Sequence, residues 1–525
     1  MTYIPAPHVT QNWLLSKPAA SGRRGMVVSQ AKVAAEAGVA VLDAGGNAVD
    51  AAVATALALA SQEPWNSGLG GIGFALVHRA GQRRADVVDF GPVAPRGLDP
   101  SVFKLTGKVV QDLFSWPQVE GDTNIHGPLS VAIPSAPAGY ARMLADWGRL
   151  PLREVMAPAI ALAERGLPQD WYTTLKVANS AAVLRRYPES ARIYLPNGLP
   201  PVPPYQGTPG FFAQGNLART LRHLSEAGLR DFYEGEIAAG IAADIAAMGG
   251  VLSAADLRDC QARVFPATEI AWRGRTLQLT GGLTAAPTLA HVLSMMADAP
   301  YGGGEPSADW YVALARAMRA AYADRLTNLG EAEPKAAESC TTHLTVRDAE
   351  GTTVAMTTTL LSSMGSRVVL PQSGVLLNNG VMWFDPSPGQ PNSVAPGKRP
   401  LTNMLPVILA EDGKPMLAAG ASGGRRIMAA VFQALTFVAD FGMDPARAAH
   451  QPRIDVSDPD KVSADRRLPA AVLRALAEDG PTEVVEHSAV PINFACPNLI
   501  LAAPDGTLTG ISDAASPWSG AVAQA

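Results

Sequence analysis

Cysteine is scarce in this chain: Cys260, Cys340 and Cys496 are the three in 525 residues, far apart and odd in number. They exclude a disulfide framework and a thiolate-built metal centre, and they fit a reducing compartment. The opening stretch "MTYIPAPHVTQNWLLSKPAAS" has no basic region leading into an apolar core, so a cytoplasmic protein is expected. Long apolar runs are missing as well. "AAVATALALA" at 51–60, hemmed in by Asp50 and Glu63, falls well short of the roughly 20 residues a membrane helix needs. It reads as a buried helix, and no membrane partner is expected. With 42 Lys+Arg against 47 Asp+Glu, the formal net charge of -5 lacks the basic footprint of a nucleic-acid binder. The 8 histidines never fall at H-E-x-x-H spacing, and there is no G-x-S-x-G elbow. Neither a metal nor a cofactor is expected.

What is present is ample apolar material, 47% of residues, for a large core. "GMVVSQ" reads as a strand, followed by the helical pattern "AKVAAEAGVAVLDAG", which stops at Gly45-Gly46. Asn47 or a neighbour is placed to cap the next helix. Strands in "SGLGGIGFALVHRA" and "ADVVDFGPVAP" form a hairpin around Gly81. Residues 136–330 read as mostly helical, with a Pro-rich extended surface loop at 195–207. Beyond 340 the pattern turns to strands: "HLTVRD", "TTVAMTTTL", "RVVL" and "VLLNN", then one long helix over 425–442. No polar linker separates domains. One large α+β unit is expected, layered helix–sheet–sheet–helix.

"GLGGIG" at 68–73 matches a dinucleotide fingerprint, but a helix precedes it and a strand follows, the reverse of what that fingerprint requires. These glycines read instead as sites of close backbone approach. A second unusual stretch is "AESCTTHLTVRD" at 337–348, where two threonines and a histidine open a strand. Ordinary strand-entry threonines are one reading, since β-branched residues suit the pleat. The other is chemical. A cut between Cys340 and Thr341 would leave Thr341 with a hydroxyl nucleophile and a free α-amine as its base. An α-amine of pKa about 7.7–8.0 is partly neutral near pH 7. Ser422-Gly423-Gly424, before a helix, could then offer backbone N–H groups to an oxyanion.

Over nearly its whole length the chain resembles the γ-glutamyltransferase family of N-terminal nucleophile hydrolases. The matching segments include "AGGNAVDAAVATALALASQEPWNSGLGGIGF" (44–74), "VAIPSAPAGY" (131–140), "TTHLTVRDAEGTTVAMTTTL" (341–360), "APGKRPLTNMLPVIL" (395–409), "GASGGRRI" (420–427) and "GISDAASPWSGAVA" (510–523). The resemblance implies a proenzyme cut after Cys340 into a large subunit, 1–340, and a small catalytic subunit, 341–525. The two would stay packed in one four-layer αββα sandwich, as a heterodimer or a dimer of heterodimers. Thr341 matches the family nucleophile, Thr359 the second threonine that hydrogen-bonds it, and Gly423 and Gly424 the oxyanion-hole glycines.

The substrate residues depart from the family. Gly91 stands where an Arg usually holds the glutamate carboxylate, and Leu361 replaces an Asn. Gly380 replaces a Gln, Trp383 the amine-binding Asp, and Thr402-Asn403 a Ser-Ser pair. Losing partners for two buried charges should weaken glutamyl binding by orders of magnitude. The pocket is expected to be more apolar and roomier near Leu361, Gly380 and Trp383. Arg425 and Arg96 are the candidate cations for a carboxylate held elsewhere, with one of Arg425 and Arg426 held by a buried carboxylate. The expectation is a self-processing amide hydrolase for a small or carboxylate-bearing acyl group, like oxamate amidohydrolase or an acylase. The alternatives are a glutathione hydrolase or γ-glutamyltransferase, and a chain that never cleaves and binds a ligand.

Overall fold

The strand Cys340–Arg347 divides its side chains between two faces. Leu344 and Val346 join the apolar cluster built with helices Lys32–Asp43 and Ala48–Gln62, whereas the His343 ring lies against Gly420 of another sheet. This is the period-two alternation of a strand buried on both sides. A computed structural model describes residues 14–109, 116–302, 304–328, 340–458, 460–490 and 492–525. Segment 329–339, most of the stretch read as leading to the cut, lies outside the described residues. So does the Cys340 side chain, expected to be a small filler.

Two sheets of seven strands carry the fold. The first runs, in spatial order, Gly520–Ala523, Met26–Ser29, Cys340–Arg347, Thr353–Leu361, Ile72–His78, Asp86–Phe90 and Arg263–Pro266, antiparallel throughout. The second runs Ala20–Gly22, Leu508–Ser512, Cys496–Ala502, Lys414–Ser422, Val407–Glu411, Arg275–Leu279 and Thr268–Trp272, also antiparallel. Leu76, Val87, Ala355, Ile408 and Ala418 pack between them. Helices including Ala48–Gln62 and Leu152–Arg165 cover the outer face of the first sheet. Ala308–Asn328 and Ile427–Ala439 cover that of the second. The layers are α, β, β, α, as expected.

Local signals set several of these elements. Asn47 begins Ala48–Gln62 with a capping box: its side chain accepts from the N–H groups of Val49 and Asp50, and Asp50 accepts from the Asn47 N–H. The helix is buried on every side, which explains a composition apolar all round. Gly70 and Gly73 permit close approach as read: a Cβ on Gly70 would sit 2.2 Å from the Leu376 carbonyl oxygen, and one on Gly73 2.4 Å from that of Thr357.

Two expectations fail locally. The stretch read as mostly helical contains the strands Arg263–Pro266, Thr268–Trp272 and Arg275–Leu279, which finish an edge of each sheet. "RVVL" and "VLLNN" make isolated bridges, Val369 to Leu376 and Gly70 to Leu377, and not strands.

Candidate active site

Thr341 occupies an irregularity in the ladder. Cys340 pairs with Leu361 and Thr342 with Thr358, so Thr341 alone faces the two residues Thr359 and Leu360. Such a bulge re-aims a side chain without breaking the sheet. The Thr341 and Thr359 hydroxyl oxygens lie 3.4 Å apart and buried. The backbone N–H of Leu361 donates to Thr359 Oγ1 at 2.8 Å. That amide is turned inward by a left-handed Leu361, at φ 86°, a conformation costing a non-glycine residue about 1–3 kcal/mol.

Glu63, missed in the sequence, anchors the next residue. It follows the last residue of helix Ala48–Gln62, is 1% exposed, and accepts from Thr342 Oγ1 and from Asn66 Nδ2, each at 2.7 Å. A charge at the end of a buried helix, before Pro64, was the available signal. Burial pushes its carboxyl up to about 7, with the Thr342 bond working the other way. The folded chain therefore keeps a proton that the unfolded chain loses near pH 4.5. Stability falls as pH rises through the window from 4.5 to 7, by about 1.4 kcal/mol per unit. Glu63→Gln should flatten the decline in melting temperature between pH 5 and pH 7, as calorimetry would show.

His343 faces away from Thr342, as alternation requires. Burial lowers it to about 3, so the ring is neutral, and it bonds Thr357 and Thr345 at 2.9 and 3.0 Å. A Cβ on Gly420 would come within 2.2 Å of that ring, so the imidazole braces the two sheets. Three residues on, Gly423 (φ 139°) and Gly424 (φ 60°) turn the chain from strand Lys414–Ser422 into helix Ile427–Ala439. Arg425 is buried beside them, and its carbonyl accepts from Tyr322 Oη at 2.5 Å. Arg426 donates to the Ile492 carbonyl at 2.7 Å and stands beside the buried Asp455. Burial raises that carboxyl above its ordinary value and Arg426 opposes the rise.

The region of the expected pocket is a packed apolar cluster, in which Leu361 and Trp383 meet Ile72, Phe74, Trp116 and Met404. It is not roomy at Gly380. A Cβ there would come within 2.7 Å of Ala132 Cβ, because Ala132 and Ile72 already fill the space. At Gly91 the Phe74 ring stands where a side chain would emerge, 2.5 Å from an added Cβ. Arg325 fixes the Thr402-Asn403 pair by donating to the Thr402 carbonyl at 2.8 Å and to Asn403 Oδ1 at 3.0 Å. Thr402 Oγ1 donates to the Leu283 carbonyl, which leaves it an acceptor. Arg96 lies apart, its Nε 2.9 Å from Asp256 and its Nη2 2.9 Å from Asp259. Both carboxylates are its partners, and Asp259 pairs with Arg258 as well. Among the described residues no group of three or more His, Cys, Asp or Glu is placed to hold a metal ion.

Known proteins agree with this architecture. A cephalosporin acylase from Bacillus halodurans superposes with a TM-score of 0.84 over 99% of both chains, at 24% identity, a likeness of fold. The Acylase ACY 1 proenzyme of Pseudomonas sp. (strain SE83) is 32% identical, covering 97% of this chain and 95% of its own. The glutathione hydrolase proenzyme of Escherichia coli (strain K12) is 30% identical, covering 94% and 90%. The family model described as gamma-glutamyltranspeptidase matches residues 34–340 and 331–522. With that span and those relatives, the chain belongs to the γ-glutamyltranspeptidase family.

Proposed function

We propose that this chain is a proenzyme that cuts itself after Cys340 and then hydrolyses amides with Thr341. The observation that carries the reading is the buried Thr341–Thr359 hydroxyl pair at the bulged strand start. In self-cleavage Thr341 Oγ attacks the Cys340 carbonyl carbon, the peptide C–N bond breaks, and its nitrogen takes the hydroxyl proton. Water then splits the resulting ester, leaving a Cys340 carboxylate and a free Thr341 amine. That amine accepts the hydroxyl proton when Oγ attacks a substrate amide, and the leaving amine departs with it. Thr359 holds Oγ in place, and the amides of Gly423 and Gly424 face the developing oxyanion. Water releases the acyl group. The fragments 1–340 and 341–525 form the working heterodimer, which we place in the cytoplasm.

The acyl group is not glutamyl. Phe74, Leu361 and Trp383 are apolar where an α-amine would need a partner, and desolvating that ion there would cost several kcal/mol. The 32% identity to a protein named as an acylase supports this. Steady-state assays of the cleaved protein should show higher kcat/KM for a glutaryl anilide or oxamate than for a γ-glutamyl anilide. Preference for the γ-glutamyl compound would make it a glutathione hydrolase and sink the reading.

A further inference from the structure

The bulge at Thr341 is gripped from two sides by one corner of the chain, residues 63–66. On the bulged strand, Thr342 Oγ1 donates to Glu63 Oε2 at 2.7 Å. On the facing strand, Thr359 makes the last rung with Ile72, and the next residue, Leu360, donates its N–H to the Asn66 carbonyl at 2.8 Å. A turn later the Met364 N–H donates to the Trp65 carbonyl at 3.0 Å. Thr341 faces Thr359 and Leu360, so the corner holds the residue after it and one of the two opposite it.

This corner is stiff. Asn66 Nδ2 donates to Glu63 Oε1 at 2.7 Å, and the Asn66 N–H donates to the Glu63 carbonyl at 3.0 Å, so its ends are tied together. Pro64 fixes one φ inside it. Trp65 is fully buried, with its ring edge-on to Tyr172 (centroids 5.6 Å apart) and tilted against Trp518 (5.2 Å).

A carboxyl is a costly choice for this place. Glu63 is 1% exposed and has no salt bridge among the described residues. It also stands at the C-terminal end of helix Ala48–Gln62, where the helix dipole disfavours an acid. Packing alone would be met by an apolar side chain. What the carboxyl adds is two oxygens, one for each half of the clamp: Oε2 takes Thr342, and Oε1 takes Asn66, which in turn holds Leu360.

We infer that Glu63 is a positioning residue for self-cleavage: through Thr342 and Asn66 it sets the two strand ends around Thr341, so that the Thr341 hydroxyl meets the Cys340 carbonyl carbon. Its bonds go to the neighbours of the reacting residues, and it acts through them. The inference rests on Thr341 being the nucleophile of the proposed function. A hydroxyl attacking the carbonyl that precedes it has little room for error, since small misplacements of reacting atoms slow such steps steeply.

The test follows fragment formation in chains made by cell-free synthesis, which begin uncut, with intact mass read against time. Glu63→Ala should slow it by about 10- to 100-fold, and Thr342→Val by a similar factor. The double variant should be no slower than the slower single, because both remove the same bond. Glu63→Gln should restore most of the rate, since its amide keeps an oxygen for Asn66 and offers an N–H to Thr342 Oγ1. Melting temperatures on a Thr341→Ala background, which cannot cut, report folding apart from chemistry. Cleavage of Glu63→Ala at the wild-type rate would overturn the inference. So would losses that multiply in the double variant, or a Gln variant as slow as the Ala one. Hydrogen exchange on the uncut Thr341→Ala chains decides the matter without cleavage. Amides over 359–364 should exchange about 10-fold faster when Glu63→Ala is added, with distant strands unchanged. Equal protection would overturn the clamp even where the self-cleavage reading stands. Faster exchange beside a wild-type chain that never cuts would instead strike the self-cleavage reading and leave the clamp on Thr341 in place.

Discussion

Thr341→Ala is expected to give a single 54.7 kDa chain under denaturing conditions, where the wild type gives two fragments divided between residues 340 and 341. The substitution removes the hydroxyl that attacks the Cys340 carbonyl, so the free α-amine never forms. Activity should disappear completely, since nucleophile and base are both lost in one residue. Thr341→Ser separates the two contributions. It keeps the hydroxyl and, once cut, the amine, so cleavage and turnover should persist at reduced rates. What it loses is the methyl group that restricts the Thr341 rotamer at the bulge. Intact-mass measurement reads both variants. A wild-type chain that stays whole would sink the mechanism, and an alanine variant cut at the same bond would show that another protease makes the cut.

Gly423→Ala should be nearly as damaging. At φ 139° an L side chain is strained, and the new Cβ would lie 2.6 Å from Ala495 Cβ and 2.7 Å from its Cα. The Cα is backbone within the facing structure and cannot swing aside, so the turn at Gly423-Gly424 must shift. On the proposed mechanism the Gly423 amide is an oxyanion donor, and displacing one typically costs about 10²–10³ in kcat. The loss should fall on kcat with little change in KM, because the ground-state carbonyl needs these amides less than the oxyanion does. The same turn would serve the tetrahedral intermediate of self-cleavage, so time courses of fragment formation should slow in parallel. Slowed turnover with normal maturation would show that the two reactions use different donors.

Much of the layered fold could be read directly from residue patterns, because those patterns are local. The capping box at Asn47 and the strands around Gly81 each depend on residues a few positions apart. The strands over 263–279 were hidden because they lie at sheet edges. Arg263, Glu269 and Arg275 face partly outward and blur the alternation, which is broken at Pro266 and again at the turn Arg273-Gly274 (φ 47° at Arg273). "RVVL" and "VLLNN" misled in the opposite sense, since apolarity reports burial and not a ladder partner. At the site, Thr341 and the glycine pair were open to a chemical reading of the residues, and the family resemblance matched them and added Thr359. Glu63 and Thr342, bonded across 279 positions, share no local motif. Only the folded chain brings them together.

The order of strands in the first sheet has a consequence for the mature protein. Cys340–Arg347 and Thr353–Leu361 are flanked by Met26–Ser29 on one side and Ile72–His78 on the other. After a cut at 340 the central pair belongs to one fragment and both flanks to the other, so separation must tear ladders on two edges at once. The cut protein should therefore dissociate slowly and, once apart, reassemble as a bimolecular reaction whose yield depends on concentration. The uncut Thr341→Ala chain, with the same contacts, should refold independently of dilution. The interleaved strands make maturation a one-way step: the sheet is built while the chain is continuous, and the cut removes the tether that built it.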